Sequence, residues 1–194
     1  QKKLQDVIAQ ATYILSEQAR ASGFSPVGIE LGFGFKDELA PLSVALPNGY
    51  ELLLRGRIDR VDKAIEHEQL YLRIIDYKSS SRGLDLLDVY YGLALQMLTY
   101  LDVVLSQSQA WLGMEASPAG VLYFHVHDAM LSEDNRLADD EIEHKLFKEY
   151  KMDGLVRAQE EIARLIDTTV DTGHSDIAPF ALKKDGGFYS SSKV

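Results

Sequence analysis

The stretch YELLLRGRIDRVD, Tyr50 to Asp62, is followed by the polar break IEHEQ and then by YLRIIDYK, Tyr71 to Lys78. These two segments decide how the chain is read. Leu52, Leu54 and Ile58 alternate imperfectly along the first, as on a half-buried strand, while Ile74 and Ile75 give the second a buried centre. The simplest arrangement is an antiparallel hairpin. It sets Gly56-Arg57-Ile58-Asp59 on one strand near Asp76-Tyr77-Lys78 on the next, and period-two alternation puts Asp76 and Lys78 on one face.

Upstream, Leu4, Val7, Ile8, Ala11, Ile14, Leu15 and Ala19 recur at helical spacing and predict a helix over 4–21, ended by Gly23 and Pro26. VGIELGFGF, residues 27–35, reads as extended. A second short extended stretch lies between Pro41 and Pro47, and Asn48-Gly49 reads as a two-residue hairpin turn. Downstream, SSSRGL at 79–84 is a polar loop. The stripe Leu86, Tyr90, Leu93, Met97, Leu101 and Val104 predicts one long helix from Asp85 to Leu105. GVLYFHV, Gly120 to Val126, is almost wholly apolar, as in a central strand covered on both faces. Residues 132–144 read as an acidic loop entering a helix, residues 155–170 as an amphipathic helix, and the tail from 171 as Gly-, Ser- and Lys-rich. The fold class expected is α/β, a small mixed β-sheet flanked by helices, in a single domain spanning 1–194.

Composition bounds what this domain does. With 194 residues and 46% hydrophobic content, the chain closes one core and has little left for a second. Cysteine is absent, which excludes disulfides, thiolate zinc sites, a cysteine nucleophile and an iron–sulfur cluster ligated by this chain. No apolar run reaches the roughly 18 residues that cross a bilayer, so no membrane partner is expected, nor is a signal peptide. The opening Gln1-Lys2-Lys3, without Met, reads as an internal fragment of a larger subunit, and the expected compartment is reducing and cytoplasmic. A balance of 20 Lys+Arg against 30 Asp+Glu, net −10, excludes a nonspecific nucleic-acid coat, which is driven by phosphate neutralisation. It remains compatible with carboxylates that hold a divalent cation.

Asp59 and Asp76 are the candidates for that role. Two neighbouring carboxylates are costly to bury unless a positive charge compensates. Mg²⁺, which takes oxygen ligands and keeps several waters, does so directly. The backbone carbonyl of Tyr77 is a third candidate oxygen, and Glu30, in the first extended segment, reads either as a further acid near the metal or as a solvated strand carboxylate. The chemistry that follows is phosphodiester hydrolysis, with Lys78 orienting or deprotonating water or stabilising the pentavalent phosphorus. The competing interpretation of the triplet is a solvated ion pair at a strand end. Gln96 and Tyr100, four apart on the following helix, share a face and are placed to bond a DNA phosphate or to align the lysine; the alternative is an ordinary helix surface. Arg57 and Arg60 flank Asp59 and either contact DNA phosphate or pair with Asp62 and Glu51. His125 and His127 share a strand face, more simply as satisfied histidines near Asp128 than as metal ligands. Asp139, Asp140, Glu141 and Glu143 read as a solvated helix start, and Trp111 as a packing residue, with base stacking the alternative.

Taken together, G-R-I-D-R-V-D, I-I-D-Y-K-S and Q-M-L-T-Y resemble the RecB-type branch of the PD-(D/E)XK nuclease superfamily. The motifs cover about residues 50–105. The flanking S-G-F-S-P-V-G-I-E-L-G-F-G, F-H-V-H-D and K-K-D-G-G-F extend the likeness. The resemblance implies a restriction-endonuclease-like core and catalytic Asp59, Asp76 and Lys78. It also implies a Q-x-x-x-Y pair at Gln96 and Tyr100, and Mg²⁺ or Mn²⁺ as cofactor. It further implies cleavage of single-stranded DNA delivered by a helicase during double-strand-break resection. The implied partners are a helicase–nuclease subunit and the remainder of this chain's own subunit. Two departures stand out. The family's iron–sulfur cluster has four cysteines, and this chain has none, so a fragment lacking them is expected to have loose ends. The family's upstream metal-binding histidine is also missing, since His67, His125, His127, His144 and His174 all follow Gly56. A nuclease-fold module that handles DNA or holds a complex together without cutting is the second function class. An unrelated acidic α/β domain with an accidental D-x-K is the third.

Overall fold

The computed structural model describes residues 2–79, 86–91, 95–127 and 139–194. The fold is α/β. Its main sheet has five strands in the order β1-β4-β5-β6-β7, flanked by helices. These strands are β1 Ser25–Phe33, β4 Gly56–Glu66, β5 Gln69–Lys78, β6 Ala116–His125 and β7 Asp153–Val156. β2 Leu42–Ala45 and β3 Glu51–Leu54 make a separate two-stranded sheet, and β8 Gly173–His174 pairs with β9 Ala181–Leu182. The helices are α1 Lys2–Arg20, α2 Leu86–Tyr90, α3 Gln96–Ser106, α4 Ser108–Leu112, α5 Asp139–Glu149 and α6 Glu160–Ile166. The chain divides into two compact units.

The first unit comprises Gln1–Phe24, Tyr77–Leu84 and Leu122–Val194. α1 is amphipathic and buries only Ala11, Ile14 and Gln18. The Gln18 amide nitrogen donates to the Tyr150 carbonyl at 3.1 Å, while its buried Oε1 has no hydrogen-bond partner among the described residues. Gly23 N–H donates to the Leu165 carbonyl at 2.8 Å, which ties the end of α1 to α6. The helix expected over 155–170 is shorter: Leu155 lies on β7, and only Glu160–Ile166 is helical, burying Ile162 and Ile166. The tail, expected to be loose, is built in. Ile177, Phe180, Ala181 and Leu182 are buried, and Val156 N–H donates to the Lys193 carbonyl at 3.0 Å. The acidic run beginning at Asp139 does open a helix, α5. The loop approaching it, through residue 138, and Asp128 lie outside the described residues.

The second unit comprises Ser25–Asp76 and Asp85–Val121. Its centre is the antiparallel β4–β5 ladder, in register from Arg60↔Ile75 to Glu66↔Gln69. The polar break resolves to a two-residue turn at His67 and Glu68, whose φ values of 48° and 63° give the left-handed pair that matches strand twist. The Tyr50–Asp62 segment is two strands rather than one, interrupted at Arg55. The stripe expected to form one helix from Asp85 to Leu105 is instead α2 and α3, with Leu95 capping the second. Met97 and Val104 are buried as the stripe requires, but Tyr90 is exposed. Asp85 and residues 92–94 lie outside the described residues. β6 begins earlier than expected, at Ala116, and its run Ala119–Phe124 is buried throughout, as befits an interior strand.

One buried charge cluster fixes the ladder. Asp62, fully buried, stands opposite Arg73 on the neighbouring strand. Its Oδ2 accepts from Arg73 Nε at 3.0 Å and Nη2 at 2.9 Å, and its two oxygens accept from Arg60 Nε at 2.6 Å and Nη2 at 3.0 Å. Burial pulls the Arg73 guanidinium below its ordinary range, while the Asp62 charge and hydrogen bonds pull it back up. Removing the acid leaves two arginines facing one another inside the protein. Asp62→Ala is therefore expected to destabilise by about 3–5 kcal/mol, the range for breaking a buried ion pair from one side. Urea unfolding checks this, and a loss below about 1 kcal/mol would show that the cluster does not hold the strands.

Candidate active site

The β4–β5 register positions the two candidate acids. One step beyond the Arg60↔Ile75 pair come Asp59 on β4 and Asp76 on β5. Opposed residues of an antiparallel ladder project to the same face, so the two carboxylates share a face, opposite to that of Arg60, Asp62 and Arg73. Asp76 is only 3% exposed and Asp59 is half-buried. Tyr77 and then Lys78 follow on the same strand, and alternation returns Lys78 to the side of Asp76. The Tyr77 ring is exposed and meets Phe124 edge-on, centroids 6.1 Å apart. The Lys78 ammonium lies 5.7 Å from the centroid of the Tyr123 ring, within cation–π range.

Glu30 extends the row. In the β1–β4 register Ile29 faces Arg60 and Leu31 faces Ile58, so Glu30 stands level with Asp59. Its φ is 51°, a left-handed conformation that is strained for a residue carrying a Cβ. Its carboxylate lies 3.7 Å from Arg57 Nη1, with both side chains exposed. Arg57 thus pairs with Glu30, not with Glu51, which instead accepts a hydrogen bond from Ser43. Arg60 is held in the buried cluster with Asp62. Among the described residues no three Asp, Glu or His side chains converge as a metal cage. The donor set that the strands offer is two carboxylates on one face. It matches Mg²⁺, which binds through one or two carboxylates together with waters and substrate phosphate.

The Q-x-x-x-Y pair is joined to the G-x-x-D motif by Phe33, a residue that no motif marks. Gln96 Nε2 donates to the Tyr100 hydroxyl at 2.8 Å. The Tyr100 ring packs edge-on against Phe33, centroids 5.9 Å apart at 76°. The buried Phe33 ring in turn covers Gly56, its partner in the β1–β4 register, where a Cβ would stand 2.8 Å from two ring carbons. The glycine of G-R-I-D is thus a packing requirement. A missing side chain on a strand, which invites close approach by a neighbour, was the one signal in the sequence that pointed to such a ring.

The remaining candidates settle into structural positions. His127 tilts against Tyr150 at 4.9 Å, and its carbonyl accepts from the Tyr150 hydroxyl at 2.8 Å. Trp111 Nε1 donates to Glu38 Oε1 at 2.8 Å, and its ring approaches Gly28, as a packing residue does. No described helix is long and apolar enough to cross a membrane.

The five-stranded sheet flanked by helices agrees with a restriction-endonuclease-like core, and the chain belongs to the PD-(D/E)XK nuclease superfamily, whose family model matches residues 1–182. It is similar to the B-type subunit of the ATP-dependent helicase/deoxyribonuclease of Oceanobacillus iheyensis, at 63% identity over 195 residues, which takes in 100% of this chain and 17% of that protein. The Bacillus licheniformis protein of the same name is 58% identical over 193 residues, again 100% of this chain and 17% of that protein. The Bacillus subtilis protein is 56% identical over 191 residues, 98% of this chain and 16% of that protein. The chain therefore spans about one sixth of the length of these relatives.

The Phe33–Gly56 contact generates a test. Gly56→Ala is expected to cost about 1–3 kcal/mol through overpacking. In a Phe33→Leu background, where the two clashing ring carbons are gone, the same change is expected to cost clearly less. A thermal-unfolding double-mutant cycle measures the difference; full additivity would show that the ring does not require the glycine.

Proposed function

We propose that this chain is the nuclease domain, spanning 1–194, of the B-type subunit of a helicase–nuclease, and that it hydrolyses phosphodiester bonds of single-stranded DNA. The observation that supports this reading is the β4–β5 ladder ending at Arg60↔Ile75, beyond which Asp59 and Asp76 come next on the two strands, with Lys78 two residues further along β5. Asp59 and Asp76, with the Tyr77 carbonyl, are the proposed ligands for Mg²⁺ or Mn²⁺, and Glu30 is a further acid level with them. When bound, the cation supplies a Lewis acid that draws charge from the scissile phosphate and acidifies water. Lys78 Nζ, set against the Tyr123 ring, orients the attacking water or neutralises charge developing on phosphorus. Gln96 and Tyr100 support the site through Phe33, and Arg57 is the cation placed to meet a DNA phosphate once it parts from Glu30.

The names of the relatives support the wider setting. In this reading the substrate is the strand ending 5′ during double-strand-break resection and recombinational repair. The partners are an AddA-type helicase–nuclease subunit and the rest of an AddB-type subunit, and the complex acts in the cytoplasm. An iron–sulfur cluster in such a subunit takes no ligand from this chain, which has no cysteine.

The test uses the whole complex and a strand-specific assay. Cleavage of labelled 5′-ended strand is expected with Mg²⁺ and lost with EDTA. Asp76→Ala and Lys78→Ala are each expected to lower it at least about 100-fold, the scale of losing one electrostatic element of an active site, with folding unchanged by circular dichroism. A fold-retaining assembly module would instead give no cleavage by the intact complex at this site, with either substitution without effect, and its deletion would disrupt the complex. A second measurement addresses the lysine. Tyr123→Phe is expected to keep the rate, and Tyr123→Leu to lower it about 2–5-fold, as loss of a cation–π contact of about 0.5–1 kcal/mol implies. Equal rates for the two variants would remove the ring from the account.

A further inference from the structure

One face of the β2–β3 hairpin is wholly apolar, and the other carries Ser43, Ala45, Glu51 and Leu53, the last 40% exposed. Its register pairs Leu42 with Leu54 and Val44 with Leu52, and beyond them the Leu46 N–H donates to the Tyr50 carbonyl at 2.8 Å. Leu42, Val44, Leu46, Tyr50, Leu52 and Leu54 therefore line one face. Val44 is 39% exposed, Leu52 45% and Tyr50 73%. The hairpin is its own two-stranded sheet, not an edge of the five-stranded one. Two strands alone are marginal in water, and an aliphatic face of this kind marks an interaction surface. Between Leu42 and Leu54 there is no Lys or Arg and one acid, Glu51. A nucleic-acid surface needs cations for phosphate; this face has none.

We propose that the apolar face of the hairpin docks against an apolar surface of the same polypeptide, outside residues 1–194. This rests on the reading that the chain is a domain of a polypeptide of its relatives' length, of which it covers 16–17%. Most of such a polypeptide lies outside these residues, and a tether presents that surface at high effective concentration. The hairpin is a docking tongue that fixes the nuclease domain to its own subunit.

Photo-crosslinking of the full-length polypeptide tests this, with p-benzoylphenylalanine in place of Leu52, and in place of Ile65 as an exposed control away from the hairpin. Irradiation without DNA is expected to give an intrachain cross-link from position 52, mapped by mass spectrometry to residues outside this domain and absent from position 65. Cross-links to a second copy, to the partner subunit alone, to added DNA or only within the domain would each overturn the proposal, as would none above the control. In parallel, the double variant Val44→Glu, Leu52→Glu is expected to release the domain to limited proteolysis several-fold faster, with Mg²⁺-dependent cleavage retained. Unchanged release would also overturn it. Neither readout depends on DNA cleavage, so failure of the docking proposal and failure of the nuclease reading remain distinguishable.

Discussion

The register of β4 against β5 governs the rest of this structure, and the buried Asp62 carboxylate between Arg60 and Arg73 holds it. In a sheet, a slip of one residue sends every side chain to the other face. Here a slip would separate Asp59 from Asp76 and turn one of them away. Hydrophobic burial alone specifies this pair of strands weakly, because Ile74 and Ile75 point to opposite faces and both are buried. A buried acid that must meet Arg73 on the neighbouring strand admits one register only. The charges below the sheet therefore determine where the charges above it stand.

The candidate site is assembled by packing. Gly56, Phe33 and Tyr100 form one contact series from β4 through β1 to α3, ending in the Gln96–Tyr100 hydrogen bond. Motifs widely spaced in the chain are thereby one object in space. Glu30 belongs to the same row of acids but is held in a left-handed conformation and paired with Arg57. That pairing sets a positive charge beside the row of acids.

Much of this was legible in the residues. The β4–β5 hairpin, the acids, the shared face of Gln96 and Tyr100, and the buried run of β6 follow from periodicity, because each is a local pattern imposed by strand or helix geometry. What was not legible has physical reasons. The His67-Glu68 turn places two ordinary residues at positive φ where glycine or asparagine is the usual signal. The Asn48-Gly49 signal was real, but Gly49 N–H donates to the Leu46 carbonyl at 3.0 Å, which makes Pro47-Asn48-Gly49 a three-residue loop with Gly49 at φ 83°. The break at Arg55 and the division of the long helix at Leu95 interrupt apolar stripes that continue across them, so periodicity carries no mark of either. The Arg60–Asp62–Arg73 cluster was half visible as an Asp62 pairing; its second arginine comes from the neighbouring strand and is a tertiary fact.

The central claim is that Asp59 and Asp76 hold one divalent cation between two strands. The most direct measurement is anomalous diffraction from crystals of the full-length polypeptide soaked in Mn²⁺. The account predicts an ion bound by one oxygen from each of these two carboxylates. An ion held by other residues, or carboxylates turned from one another with no ion between them at saturating Mn²⁺, would contradict it.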